Sequence, residues 1–193
     1  MEQTLLIPFL QHSGHINAAD ALQIAEVFEE KQISKNDYFL KAGRTANEYL
    51  FLTEGLLRSY VTDTAGNEVT TYFFTQHTVV FEVDSFFNRT AAKENIQAIT
   101  DCSGWYITYQ QLNMLFHAMP AFREFGRYIL VKGYTAFKNR TLSMITSTAE
   151  ERYAQLIQQY PQLFQQAPLK YIASYLGVTD TSLSRIRREF SKK

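Results

Sequence analysis

The sequence predicts an α+β chain: an N-terminal antiparallel β-roll of the double-stranded β-helix type, one long helix, and a C-terminal all-α helix-turn-helix lacking an obvious wing. Three observations point there. Between residues 38 and 108, short runs rich in Tyr, Phe, Val and Leu alternate with Gly- and Asn-bearing turns, the texture of a small antiparallel roll, sandwich or barrel. From Ala121 no proline occurs until Pro161, and the composition between them suits a helix. Finally, residues 169–190 divide into two short amphipathic segments on either side of Gly177. The expected division is a sensor domain over 1–120, a dimerisation helix over 121–146 and a helix-turn-helix domain over 147–193.

In chain order, Asn17 and Asp20 precede a helical stripe of Leu22, Ile24, Ala25 and Phe28, with Asp20 the expected cap. The β-prone runs are 38–40, 49–52, 56–61, 69–74, 79–83, 96–99 and 105–108. Lys41-Ala42-Gly43, Thr53-Glu54-Gly55 and Thr64-Ala65-Gly66-Asn67 supply turns between them. Helical period returns at Gln111–Phe116 and is cut at Pro120. Beyond it the long helix carries two apolar stripes: Phe122, Phe125, Ile129, Gly133 and Ala136, and across from them Leu130, Tyr134, Phe137, Met144 and Ile145. A helix apolar on two sides needs two partners, either two surfaces of one monomer or its own β domain and a second copy of the chain. The first stripe is assigned to the second copy, because Gly133 and Ala136 let two backbones approach closely. Ser147-Thr148-Ala149-Glu150-Glu151 holds two overlapping capping boxes, so a new helix is expected from Glu150 to Tyr160 with Tyr153, Leu156 and Ile157 inward.

Charge and composition narrow the function. Net charge is zero, yet residues 169–193 hold six cations (Lys170, Arg185, Arg187, Arg188, Lys192 and Lys193) against Asp180 and Glu189, leaving −4 on the rest. A basic tail on an acidic body suits a polyanion. Cys102 is the only cysteine, which excludes an intrachain disulfide and a Cys-ligated iron–sulfur cluster built from one chain. The four histidines, His12, His15, His77 and His117, form no metal motif in the strand region, and no Walker A or Gly-x-Ser-x-Gly sequence occurs. No enzyme, metal or cofactor is therefore expected. Met1-Glu2-Gln3 is acidic, and the apolar stretch from Leu5 to Leu10 is interrupted by Pro8 and too short for a signal peptide or a membrane span. A cytoplasmic protein is the expectation.

The last third carries the function. Leu169–Leu176 reads as a helix, Gly177-Val178-Thr179 as its turn, and Asp180–Phe190 as a second helix. Gly177 suits a left-handed helix terminus, Thr179 can cap the second helix, and Asp180 lies at its positive end. With Ile172, Leu176, Val178, Leu183 and Ile186 inward, the second helix presents Thr181, Ser182, Ser184, Arg185 and Arg188, the hydroxyls and guanidiniums suited to base edges and phosphates. Lys170 adds a phosphate contact.

Glu150-Glu151-Arg152, with the run from Ile172 to Arg187, resembles the C-terminal half of the Crp/Fnr-type regulators. Upstream, Tyr49–Tyr60, Gly66-Asn67-Glu68 and Ile96-Gln97-Ala98 with Cys102 are similar to the family's β-roll. The resemblance implies a cyclic-nucleotide-binding-type roll, a homodimer joined along the long helix, and double-stranded DNA as partner. It places a base-contacting arginine at Arg185, with Thr181 and Ser182 near the helix start. RNA polymerase and an unidentified small-molecule effector are the further partners it allows.

The chain departs from the family in two places. Its phosphate-binding cassette puts Gly-Glu before a short helix and Arg-Ser/Thr after it; here Phe81-Glu82 and Ala92-Lys93 stand at those positions. Loss of cyclic AMP is therefore expected, with Glu82, Arg89 and Lys93 the candidate contacts for another effector. The family's β-hairpin wing is not expected after Phe190, which shifts phosphate anchoring to Lys170, Arg187, Lys192 and Lys193. A dimer would compensate by offering two half-sites about 34 Å apart, one turn of DNA. The competing reading is a protein-interaction module on the same fold that does not bind DNA.

Overall fold

The computed structural model describes residues 5–190; Met1-Glu2-Gln3 and the anchoring lysines Lys192 and Lys193 lie outside them. Two short helices, α1 (Leu6–Gln11) and α2 (Ala18–Ala25), open the chain. The cap of α2 is Asn17, whose Oδ1 accepts the Asp20 N–H at 2.8 Å, so the expected cap, Asp20, is the third residue of the helix. With that shift Ala21 joins Ile24 and Ala25 in the core, and Leu22 turns outward.

Among the described residues, eight antiparallel strands build two four-stranded sheets. β1 (Glu29–Ile33), β8 (Cys102–Thr108), β3 (Glu48–Glu54) and β6 (Val79–Val80) make one, in that order. The other runs β2 (Tyr38–Leu40), β7 (Asn95–Ala98), β4 (Leu57–Thr62) and β5 (Glu68–Phe74). Leu50, Leu52 and Ile107 from the first sheet share one core with Leu57, Ile96 and Ala98 from the second. Gly104 permits the closest approach: a Cβ there would stand 2.3 Å from the carbonyl oxygen of Phe51 on the paired strand. The run expected as a strand over 79–83 is a strand for two residues only. Val83 opens helix α3 (Val83–Asn88), because the Glu82 carboxylate caps it by accepting from Ser85 N at 2.6 Å.

After β8 come α4 (Tyr109–Ala118), with a Thr108–Gln111 capping box, and the 27-residue α5 (Pro120–Thr146). Of the two overlapping boxes at 147–151, the second forms: Thr148 and Glu151 exchange side-chain-to-backbone hydrogen bonds and start α6 (Ala149–Gln159). Then follow α7 (Leu163–Gln166), α8 (Leu169–Leu176) and α9 (Asp180–Phe190). A second hydrophobic core joins α6 to α9 and takes in Leu56, Phe73 and Ile99 from the roll. Among the described residues, no helix is long and apolar enough to cross a membrane.

Candidate nucleic-acid interface

α8 and α9 meet across Gly177, which adopts φ +68° and ends α8 in the left-handed conformation. Ile172, Ala173 and Leu176 of α8 pack with Leu183 and Ile186 of α9, and Ala173 is fully buried at the crossing. Thr179 caps the second helix by accepting the Ser182 N–H at 3.2 Å. Its hydroxyl also lies 2.9 Å from Ser182 Oγ and 3.0 Å from Thr181 Oγ1, so three hydroxyls share one hydrogen-bonded cluster at the positive end of α9.

With Leu183 and Ile186 inward, the opposite face of α9 presents Thr181, Ser184, Arg185 and Arg188, all exposed. Ser182 is half-buried, and its hydroxyl is drawn into the cap. Lys170 is exposed at the start of α8, with its Nζ 5.0 Å above the Tyr171 ring. Phe190 meets Tyr153 edge-on and ties the end of α9 to α6.

Two arginines whose role the sequence did not reveal hold this unit to the long helix. Arg140 of α5 donates to the Tyr175 carbonyl at 3.0 Å. Arg152 of α6 donates twice to the Leu176 carbonyl, at 3.1 and 3.0 Å, and once to Ser147 O. Both therefore place positive charge on the carbonyl end of α8, where the helix dipole favours it. α8 also lies on strand β5: Ser174 Oγ accepts from Thr70 N at 2.7 Å, and Tyr175 packs on Phe73. Beside that contact Arg58 is buried, paired with Glu68 and sandwiched between the Tyr60 ring at 4.1 Å and the Tyr171 ring at 3.4 Å.

Of the stripe assigned to a second copy, Phe122, Phe125 and Ile129 belong to the protomer's own core. Phe122 and Phe125 are each 1% exposed within one protomer, and Ile129 packs partly against the same core. That face of α5 closes the roll, through Phe122 against Phe116 and Phe125 against Phe9. Gly133 and Ala136, farther along the stripe, stay exposed. The accessible apolar face is the other one: Leu130, Tyr134, Phe137 and Ile145 are 39%, 67%, 61% and 76% exposed. The sequence showed both stripes; what it lacked was the direction of the roll, which only the packing of α1 and α4 on α5 supplies.

Glu82, Arg89 and Lys93 do not converge on a space. Glu82 caps α3. Arg89, in the left-handed conformation, donates to Ala46 O at 2.6 Å, to Phe86 O and to Asn47, and its guanidinium lies over Tyr109. Lys93 is solvent-exposed, 4.0 Å from Asp84. Phe81, where the family has glycine, packs its ring on Tyr49, Phe86 and Phe87. Glu94 of the cassette takes hydrogen bonds from Ser59 and from Thr71. Among the described residues, no group of three or more His, Cys, Asp or Glu is placed to hold a metal ion.

Residues 30–118 match the cyclic nucleotide-binding domain family. Over 200 aligned residues the chain is 24% identical to the fumarate and nitrate reduction regulatory protein of Vibrio cholerae serotype O1, spanning 97% of this chain and 77% of that protein. Among solved structures it is similar to FixK2 of Bradyrhizobium japonicum, with a TM-score of 0.74 and 18% identity over 86% of this chain and 85% of that one. It is similar also to a Crp/Fnr-family transcriptional regulator of Eubacterium rectale, with a TM-score of 0.72 and 14% identity over 95% and 87% of the two chains. At such identities the structural likeness establishes a common fold.

Proposed function

We propose, for a chain that has the Crp/Fnr regulator fold with its cyclic nucleotide-binding domain at residues 30–118, that it is a DNA-binding transcriptional regulator acting as a homodimer. The observation that carries the reading is the outward face of α9, where Thr181, Ser184, Arg185 and Arg188 are exposed opposite the buried Leu183 and Ile186. A helix so anchored can enter a major groove, with Arg185 reading a guanine edge and Arg188 and Lys170 on phosphates. No enzymatic step is part of the reading.

Dimerisation supplies the second half-site. Leu130, Tyr134, Phe137 and Ile145 recur at helical spacing on the accessible side of α5 and favour a seam between two such helices. The roll is read as insensitive to cyclic nucleotides. A phosphate at the cassette would meet carboxylates on Glu82, Asp84 and Glu94, while Arg89 is bound to Ala46, Phe86 and Asn47. RNA polymerase is the partner through which such a dimer would act on transcription. The domain division is read as roll over 1–120, helix over 121–146 and DNA module over 147–193.

The test is selection of bound fragments from a genomic library by the purified chain, repeated with Arg185→Ala. The reading predicts a two-fold-symmetric consensus whose affinity the variant weakens by about 1–3 kcal/mol, with relaxed preference at one base position. If no fragment is enriched, the protein-interaction alternative replaces it.

A further inference from the structure

A cavity of about 370 Å³ opens where the three parts of the chain meet. β5 contributes Tyr72 and Phe73, α5 contributes Asn139 and Arg140, and Tyr160 and Tyr175 come from the C-terminal module. Its volume lies at the small end of sites that enclose a metabolite. It is separate from the cassette, none of whose residues lines it.

The lining chemistry is one-sided. It includes the guanidiniums of Arg140 and Arg152 and not one aspartate or glutamate. Arg152 is already spent on Leu176 O and Ser147 O. Arg140 is not: it gives one N–H to Tyr175 O and stacks 4.3 Å from the Tyr175 ring, but its Nε is buried without an acceptor among the described residues. A buried donor left unmatched is costly, and a charged one more so. The tyrosines add no negative charge. Burial, reinforced by Tyr160 and Tyr175, pushes the Tyr72 phenol up to about 12, and burial raises Tyr160 and Tyr175 as well. At physiological pH the site therefore offers neutral phenols, amides from Asn139 and Gln155, ring faces, and a cation that makes a single hydrogen bond among the described residues.

We propose that this interdomain cleft is an effector site for a small aromatic carboxylate, whose carboxylate is received by Arg140 and whose ring lies against the tyrosine walls. A carboxylate is the simplest group to pair with a cleft-lining guanidinium that makes this single hydrogen bond, and a planar ring suits walls built of Tyr72, Phe73 and Tyr175. Because Arg140 also holds the end of α8, occupation of the cleft bears on the angle between the helix-turn-helix and the long helix. That regulatory consequence rests on the DNA-binding reading; the binding itself does not.

The experiment titrates the full chain, free of DNA, with benzoate, salicylate and indole-3-acetate by calorimetry, and with benzamide, salicylamide and indole-3-acetamide as neutral counterparts. At least one acid is expected to bind in the micromolar range, with its amide at least about tenfold weaker. Arg140→Gln should weaken the acid by about tenfold or more. Ala136→Trp, or Thr135→Trp should the first variant melt early, fills the cleft from an exposed helix position and should abolish binding. The proposal is overturned if no acid binds below the millimolar range, if acid and amide bind alike, or if neither filling variant alters binding. Adding the bound acid to a DNA titration separates the two readings: a chain that takes the acid but never binds DNA keeps the site and loses the regulator.

Discussion

Arg58 and Glu68 offer an unequal pair of substitutions whose order can be worked from their surroundings. Arg58 is 1% exposed, yet its Nε and Nη1 find no acceptor among the described residues, while Glu68 is 44% exposed. Arg58→Met keeps most of the side-chain volume. It gives up contacts with two aromatic rings, about 2 kcal/mol each for a desolvated cation, and an ion pair to a half-exposed carboxylate worth roughly 0–1 kcal/mol. Against that, it removes two unmatched buried donors, each costing on the order of 1–3 kcal/mol. The terms nearly cancel, so the variant should lie within about 1 kcal/mol of the parent. Glu68→Ala leaves the buried guanidinium its two rings and, as its hydrogen-bond acceptor among the described residues, Gln97 at 3.4 Å. Water reaching the exposed carboxylate position softens that loss, and a destabilisation of about 1–2 kcal/mol is expected. Urea unfolding followed through Trp105 fluorescence measures both. Should Arg58→Met lose clearly more than Glu68→Ala, the claim that the charge at this domain contact is imperfectly satisfied is wrong.

Phe137→Glu, placed on the accessible face of α5, should give a monomer in sedimentation, whereas Phe122→Ala should destabilise the fold by about 3–5 kcal/mol, its ring being core rather than interface. An intact Phe137→Glu dimer would move the seam elsewhere. Gly55→Ala should cost more than Gly66→Ala in chemical denaturation. Both glycines have positive φ, but a Cβ at Gly55 would lie 2.4 Å from the Asp101 carbonyl oxygen and one at Gly66 meets nothing within 4 Å. Equal costs would show the Gly55 turn to be plastic. Asp63 accepts from the backbone and side chain of Asn67, which hold its carboxyl below the usual aspartate value, with Ala65 and Gly66 assisting. A lowered folded pKa means that the turn's stabilisation is present above the ordinary aspartate range and is lost as pH falls through the lowered value. The protection of the Asn67 amide, its exchange rate set against the intrinsic rate at the same pH, should therefore hold until the solution is distinctly acid; loss of that protection near neutral pH would assign it to another group.

Much of the fold was legible because local chemistry and long-range packing agree. β2 and α8 begin and end at the residues their patterns suggest, and Gly177 sits in the left-handed conformation its turn requires. β1 was missed, since Glu29-Glu30-Lys31-Gln32 shows no apolar alternation; it is a strand because β8 pairs with it from Glu29↔Tyr106 to Ile33↔Cys102. The Val79–Val83 run gave a strand signal that the Glu82 cap overrode. For the candidate DNA face, Arg185 and its neighbours could be named from helical spacing alone, because a buried Leu183 and Ile186 dictate the opposite face. What spacing could not supply was tertiary direction. The side of α5 that meets the roll, the use of Arg89 inside the 44–47 loop, and the grip of Arg140 and Arg152 on α8 all depend on segments far apart in the chain.

The most direct measurement is the affinity of the full chain for a labelled duplex carrying its selected site, followed by fluorescence anisotropy across a range of salt concentration. Recognition through α9 predicts a logarithmic affinity that falls linearly with the logarithm of salt, by roughly 0.9 for each phosphate engaged, with a smaller slope for Lys170→Ala. An affinity indifferent to salt, or no binding at low ionic strength, would contradict the account.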